Sequence, residues 1–338
     1  MTTNQDAGGR RLISYLLPVY NEEESVAVFF AALTQAVEPL TGRYDFEFLF
    51  VNDGSADGSQ AILESLASAD PRVRVITFSR NFGHQIALTA AFDHARGDAV
   101  IAMDTDLQDP PAVSLELIER WEQGFEVVYA QRRSRRDSWF KRTTANLFYR
   151  LLDHLAEIKI PRNVGDFRLL DRQVLEALKR MPEHNRYIRG MVSWVGFRQT
   201  AVEFDRDARY AGTTGYPLRK MIRFAVNGIV GFSAVPLKLI AYVGCVATAL
   251  SAIAVGYILV VRLFFADQAV PGWAFTAVAI FFVGGVQMLM LSVLGTYLSR
   301  VYTEAQNRPL YIVRSVVGGG AGGPVQPPVG GAGDSATG

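Results

Sequence analysis

Residues Val100 to Pro111, VIAMDTDLQDPP, carry the densest chemistry in the sequence: a short apolar run ends abruptly in Asp104, Asp106, Gln108 and Asp109. Val100 to Met103 reads as a buried strand, and in open α/β sheets ligands bind beyond the carboxyl ends of strands. Hard divalent cations take oxygens from one or two carboxylates and fill the rest of their shell from substrate phosphates. A D-x-D at a strand end can therefore clamp a metal and a diphosphate. Alone, the same residues are an acidic turn stopped by Pro110 and Pro111. What separates the two readings is whether other polar strand ends share that edge.

They do. Leu12 to Pro18 is apolar apart from Ser14, as a strand covered on both faces would be. It runs into Pro18-Val19-Tyr20-Asn21-Glu22, where Asn21 looks like a helix N-cap with Glu22 to Glu24 in the first turn. Phe46 to Val51 is a second strand ending in Asn52-Asp53-Gly54-Ser55, followed by a helix from Ser59 to Ser68. Val73 to Phe78 is a third strand and Gly83 to Ala95 a third helix; the helix after the D-x-D runs from Pro111 to Gln123, and Val127 to Ala130 is a fifth strand. Strands alternating with helices imply βαβ units and a mainly parallel sheet. Right-handed crossovers then bring the three polar strand ends to one edge, which is how a nucleotide pocket is assembled. There Asp53 can accept from a base or ribose, Gly54 allows a tight turn, and Asp106 reaches the diphosphate through a metal.

The 338 residues carry a formal net charge of +1, which gives no general case for nucleic-acid binding. One cysteine, Cys245, excludes an intramolecular disulfide and fits a reducing compartment or a membrane interior. Paired arginines before a short apolar run near the N-terminus mimic a signal peptide, but Pro18 and the acidic Glu22 to Glu24 argue against one.

PVYNEEES, VNDGSADGS, SRNFGHQIAL and MDTDLQDPP, continued by GDFRLLDR at Gly165 to Arg172 and by Arg308-Pro309-Leu310-Tyr311, together resemble family 2 glycosyltransferases of GT-A fold. Within that family the pattern is similar to the polyprenyl-phosphate glycosyltransferases, namely dolichyl-phosphate mannose and glucose synthases and bacterial undecaprenyl-phosphate sugar transferases. The resemblance implies that Pro18, Tyr20, Glu22, Asp53 and Asp104 serve the donor nucleotide. It also implies that Asp104, Asp106 and Gln108 hold Mg²⁺ or Mn²⁺ with the donor diphosphate. His84, at the start of a helix, is either a packed or capping residue or, by the resemblance, a group near the donor rather than a base. Asp166 and Arg168 join Asp106 as candidate catalytic residues. A lipid phosphate with a second pKa near 6 is already mostly anionic at neutral pH and needs no strong base, so Asp166 can instead orient the sugar or an arginine. The resemblance further allows a homo-oligomer, with a tetramer as one form.

Arg132, Arg133, Arg135, Arg136, Lys141 and Arg142 form a basic run after the fifth strand. Most such runs are solvated loops, but joining a sugar diphosphate to a lipid phosphate brings two anions together, and guanidinium forks suit phosphate oxygens. The related synthases place basic residues here against the acceptor phosphate, which picks out Arg132 and Lys141.

Leu239 to Val261 and Trp273 to Ser299 carry no charge, and each exceeds the ~20 residues that span a bilayer as helix. They predict a transmembrane hairpin with Ala252 and Gly256 allowing close packing. Arg219, Lys220, Arg223 and Lys238 precede it and Arg300, Arg308 and Arg314 follow, while the connection offers only Asp267. The positive-inside rule then sets the catalytic domain and both termini in the cytoplasm, at the inner membrane. Pro217 to Val235 reads as an amphipathic helix on anionic lipid. The chain therefore divides into flexible residues 1–10, a GT-A domain over 11–212, the amphipathic helix over 213–236, membrane helices over 237–262 and 273–300, a cytoplasmic return over 301–315, and a disordered tail over 316–338. A formal G-x-G-x-x-G within Gly318 to Gly323 has no helix to follow it, since Pro324 and more glycines come next.

The expected reaction is inverting transfer of one sugar from a nucleotide sugar to a polyprenyl phosphate. UDP-glucose is preferred over GDP-mannose because LQDPP followed by a two-helix hairpin resembles the bacterial glucosyl branch. A processive polysaccharide synthase shares the fold, but its Q-x-x-R-W pattern does not occur here. A non-catalytic membrane scaffold would have no use for the D-x-D.

Overall fold

In a computed structural model the described residues are 9–133, 164–205 and 273–319, with scattered positions between 240 and 260. Two compact units result, one of residues 1–149, 158–216 and 309–338, the other of residues 150–157 and 217–308.

The first unit is built on an eight-stranded sheet. Its strands are β1 (Arg11–Val19), β2 (Tyr44–Asn52), β3 (Val73–Phe78), β4 (Ala99–Ala102), β5 (Val127–Arg132), β6 (Val164–Asp171), β7 (Gln199–Phe204) and β8 (Val313–Gly318), in the order β7-β5-β6-β4-β1-β2-β3-β8. β4, β1, β2 and β3 are mutually parallel, as βαβ units require. β6 runs antiparallel to both β4 and β5, and β8 runs antiparallel to β3, so the sheet is mixed rather than uniform.

Helices cover both faces. α1 (Val26–Val37), α2 (Ser59–Ala69) and α4 (Val113–Glu122) bury Phe29, Leu33, Leu63 and Leu117 against Tyr15, Phe48, Phe50 and Ile101. Leu16, Leu49 and Val100 alternate to the other face, where α3 (His84–His94) packs on β1 and β2. Short helices α5 (Arg172–Lys179) and α6 (Ile188–Trp194) complete that layer beside α3.

Several expectations change. Asn21 is not the cap of α1: its backbone is left-handed at φ 54°, its side chain accepts from the Ala56 amide, and Ser25 precedes the helix instead. α3 and α4 start later than read, at His84 and Val113, and β4 is displaced by one residue. Val316 to Gly318, read as the start of a disordered tail, finish β8, which pairs antiparallel along the edge of β3.

In the second unit, α7 (Trp273–Gln306) runs six residues past the predicted end at Arg300, and Asn307 follows it at φ 45°. At 1.5 Å per residue its 34 residues span about 51 Å. Among the described residues it is the one helix long and apolar enough to cross a membrane, by length and composition. Phe282, Met288, Leu289 and Leu298 on it are exposed. The other predicted membrane helix is described only at scattered helical positions, so the two-helix hairpin is not shown. The amphipathic segment and Lys141 lie outside the described residues.

Candidate active site

Because β4, β1 and β2 are parallel neighbours, Ala102, Val19 and Asn52 end on one edge, and their following turns face a common cavity of about 470 Å³. Pro18, Tyr20 and Glu22 reach it from β1, Asp53 from β2, Asn81 and Gly83 from the loop after β3, His84 and Ala87 from α3, and Asp104, Thr105 and Asp106 from β4. The antiparallel direction of β6 brings the last carboxylate. Arg168 pairs with Ala102, so Asp166 stands two residues beyond the end of β4, beside Asp104.

Asp166 is the best-held acid of the group. Its carboxylate accepts from Arg189 Nε (2.9 Å) and a terminal Arg189 nitrogen (3.2 Å), from Gln85 Nε2 (3.2 Å), and lies 3.2 Å from His84 Nε2. Burial alone would raise its pKa, but the His84 hydrogen bond and the Arg189 charge outweigh burial and hold it well below the usual carboxylate range. His84 shows the reverse balance. Burial disfavours the imidazolium, yet the bond to Asp166 and the nearby Asp104 charge, whose Oδ1 is 3.7 Å from Nε2, lift its pKa to about 9. Nε2 thus stands between two carboxylates that both favour the imidazolium.

The other residues are held by backbone. Asp53 accepts from the Phe82 amide (2.6 Å) and the Gly83 amide (2.9 Å), so both of its oxygens position the loop after β3; burial raises its pKa despite these bonds. Gly54 sits at φ 66° so close to Arg80 that an added Cβ would stand 2.5 Å from the Arg80 carbonyl carbon. That is the physical reason for glycine in this turn. Leu107, at φ 60°, reverses the chain within the D-x-D loop, and the Gln108 amide donates back to Asp106 Oδ1 at 3.1 Å. Glu22 accepts from the Ser25 hydroxyl.

Three candidates stand outside the cavity lining. Gln108 is 7% exposed. Arg168 is fully enclosed: it donates to the Gly165 carbonyl at 2.7 Å and faces a smaller recess beside Tyr129, Arg189 and Ser193. Burial pulls its pKa down to about 10. Arg132, at the end of β5, has a terminal nitrogen 3.9 Å from Asp109 Oδ1. Arg189 and Gln85 were not singled out from sequence. The sequence allowed Asp166 to orient an arginine without naming one, and Arg189 is the arginine it holds.

Among the described residues no group of three His, Cys, Asp or Glu side chains is arranged to hold a metal by itself. Asp104 and Asp106 both line the cavity, which suits a hard cation whose remaining ligands come from substrate and water.

Residues 14–179 match the family described as Glycosyl transferase family 2. The chain is 47% identical over 306 residues to "Uncharacterized glycosyltransferase YkcC" of Bacillus subtilis, covering 90% of this chain and 94% of that one. It is 42% identical over 305 residues to "Prophage bactoprenol glucosyl transferase homolog" of Escherichia coli, covering 90% and 99% respectively. Among solved structures it is similar to glucosyl-3-phosphoglycerate synthase of Mycobacterium tuberculosis at 20% identity and a TM-score of 0.45, over 65% of this chain and 78% of that one, a likeness too distant to carry a ligand across. With identities of 42–47% along nine-tenths of its length, the chain belongs to glycosyltransferase family 2 and is an enzyme of that class.

Proposed function

We propose that this glycosyltransferase moves one hexose from a nucleotide sugar to a polyprenyl phosphate at the cytoplasmic face of the inner membrane. The observation that carries the reading is the convergence of Glu22, Asp53, Asp104, Asp106 and Asp166 on one cavity at the carboxyl edge of the sheet. It is supported by the name of the bactoprenol glucosyl transferase homolog to which the chain is 42% identical. UDP-glucose is the preferred donor on the same ground, with GDP-mannose as the alternative.

In the step, a lipid phosphate oxygen attacks C1 of the sugar from the face opposite the diphosphate. The bond from C1 to the diphosphate oxygen breaks, inverting the anomeric centre and releasing the nucleoside diphosphate. The attacking oxygen carries no proton at neutral pH, so Asp166 is not needed as a base, and its lowered pKa makes it a poor one. Asp166 instead fixes His84 and Arg189 at the sugar end of the pocket. Pro18, Tyr20 and Glu22 shape the nucleotide end. Asp104 and Asp106 would hold Mg²⁺ or Mn²⁺, with Gln108 behind them; that ion supplies charge neutralisation of the departing diphosphate. Arg132 and Lys141 belong to the acceptor phosphate.

The exposed apolar length of α7 supports insertion in the membrane. With residues 237–262 it would form the hairpin whose termini both face the cytoplasm, as a homo-oligomer. The test is incubation of membranes bearing the protein with polyprenyl phosphate and a panel of labelled nucleotide sugars. One acid-labile, lipid-linked monosaccharide is expected from one donor. A polymer, or no lipid-linked product from any donor, would overturn the assignment.

A further inference from the structure

After α7 the chain re-enters the first unit, and the first side chain it buries there is Tyr311, 5% exposed. The ring stacks on Phe78 at the end of β3, with centroids 5.2 Å apart and planes at 19°. Its hydroxyl donates to Asp93 Oδ2 at 3.0 Å and lies 3.3 Å from His94 Nε2, both in the last turn of α3. The next residue, Ile312, accepts from the Ser79 amide at 3.0 Å. One short stretch thus ties the end of β3 to the far end of α3.

Between those ends lies the loop that supplies Asn81 and Gly83 to the cavity. Phe82 in that loop meets Phe78 edge-on, with centroids 5.6 Å apart, and its amide donates to Asp53. Opposite, the Gly54 turn leaves no room for even a methyl group against Arg80 and Asn81. Phe78 is therefore held between Tyr311 and Phe82, and the loop between Phe78 and the β2 turn. Tyr311 does not itself line the cavity.

We propose that Tyr311 is a positioning residue for the donor pocket, acting through Phe78 and Phe82 to hold the Ser79–Gly83 loop against Asp53. The proposal rests on the reading of the cavity as the nucleotide-sugar site. Removing the ring opens space behind Phe78, into which Phe78 and Phe82 can withdraw, and Asn81 and Gly83 then leave their places in the pocket.

The full-length protein in detergent is tested by calorimetry with UDP and with GDP, each with Mg²⁺, and by rates at varied donor. Tyr311→Ala is expected to weaken nucleotide binding and raise the donor KM about tenfold while kcat at saturating donor changes less than about threefold. Tyr311→Phe, which keeps the stack, should restore nucleotide affinity to within about threefold. Should Tyr311→Ala fail to fold, Phe78→Leu carries the same expectation. Val317→Ala, on β8 and packed against the core, is the control: it should lower the thermal midpoint and leave nucleotide affinity unchanged. Equal loss of nucleotide affinity in Val317→Ala at equal loss of midpoint would reduce Tyr311 to a stability role and overturn the proposal. Normal nucleotide binding by a folded Tyr311→Ala would overturn it too, leaving the pocket reading intact. Wild-type protein that binds neither nucleotide would overturn both.

Discussion

Replacing Arg189 by methionine removes the strongest partner of Asp166, a buried acid of the site. Asp166 keeps Gln85 and His84 but loses both bonds to the guanidinium, and its Oδ1 is left with Arg168 at 3.9 Å. Breaking a buried ion pair from one side costs about 3–5 kcal/mol. The Arg189 side chain is 31% exposed and Asp166 retains two partners, so about 2–3 kcal/mol is expected here. For a unit of this size that is a fall in thermal midpoint of roughly 5–10 °C. Because Asp166 also fixes His84 beside Asp104, misplacement of the pair should lower kcat about a hundredfold. The assay combines thermal unfolding and transfer rates for Arg189→Met, Asp166→Asn and the double variant. Once Asp166 is neutral there is no buried charge to abandon, so the double variant should cost at least about 1.5 kcal/mol less than the sum of the singles. Strict additivity, or an Arg189→Met enzyme with unchanged midpoint and rate, would show that the ion pair does not organise the site.

Asp106→Asn should lower transfer at least about a hundredfold with the fold intact, and excess EDTA should reproduce the loss in the wild type; full activity in EDTA would exclude the metal reading. His94 gives a pH test of stability: burial first, then the charges of Arg74 and Lys179, depress its pKa to about 4, below the unfolded value near 6.5. The unfolded chain then binds the extra proton between those values, so the contribution of His94 is fully present above about pH 6.5 and is lost toward about pH 4, by less than about 1.4 kcal/mol per unit because the ring is partly solvated. Denaturant midpoints across that range should flatten by that slope in His94→Gln. For orientation, a cysteine at position 268 should react with an impermeant thiol reagent from outside intact cells, and one at exposed position 314 only after permeabilisation. Equal labelling of both in intact cells would overturn this orientation.

How far the fold could be read from the sequence follows from where its causes lie. β3 was legible residue for residue, Val73–Phe78, because VRVITF is rich in β-branched and aromatic residues and bounded by turn signals, which is a local fact. GDFRLLD was legible as a strand, but not its antiparallel direction, because no residue within it encodes which way the intervening chain returns. That direction is what sets Asp166 beside Asp104. α6 has seven residues, too few for a helical period to declare itself, and with it Arg189 escaped notice. β8 is a pairing effect: Val313–Gly318 gains its hydrogen bonds from β3, more than two hundred residues earlier.

The places where local rules fail are concentrated at the cavity. Three non-glycine residues among those described have left-handed backbone: Asn21, Leu107 and Asn307. Asn307 ends a long helix, where such a residue is ordinary. Asn21 precedes Glu22, and Leu107 follows Asp106, so each adjoins a carboxylate that faces the cavity. A left-handed leucine costs roughly 1–2 kcal/mol with no side-chain bond to offset it. At that cost the chain turns so that the Gln108 amide meets the Asp106 carboxylate from behind. The acids themselves could be read from the sequence because their identity is local. Their aim could not, because at Leu107 it depends on a backbone conformation that the residue does not favour and that only the packed sheet edge enforces.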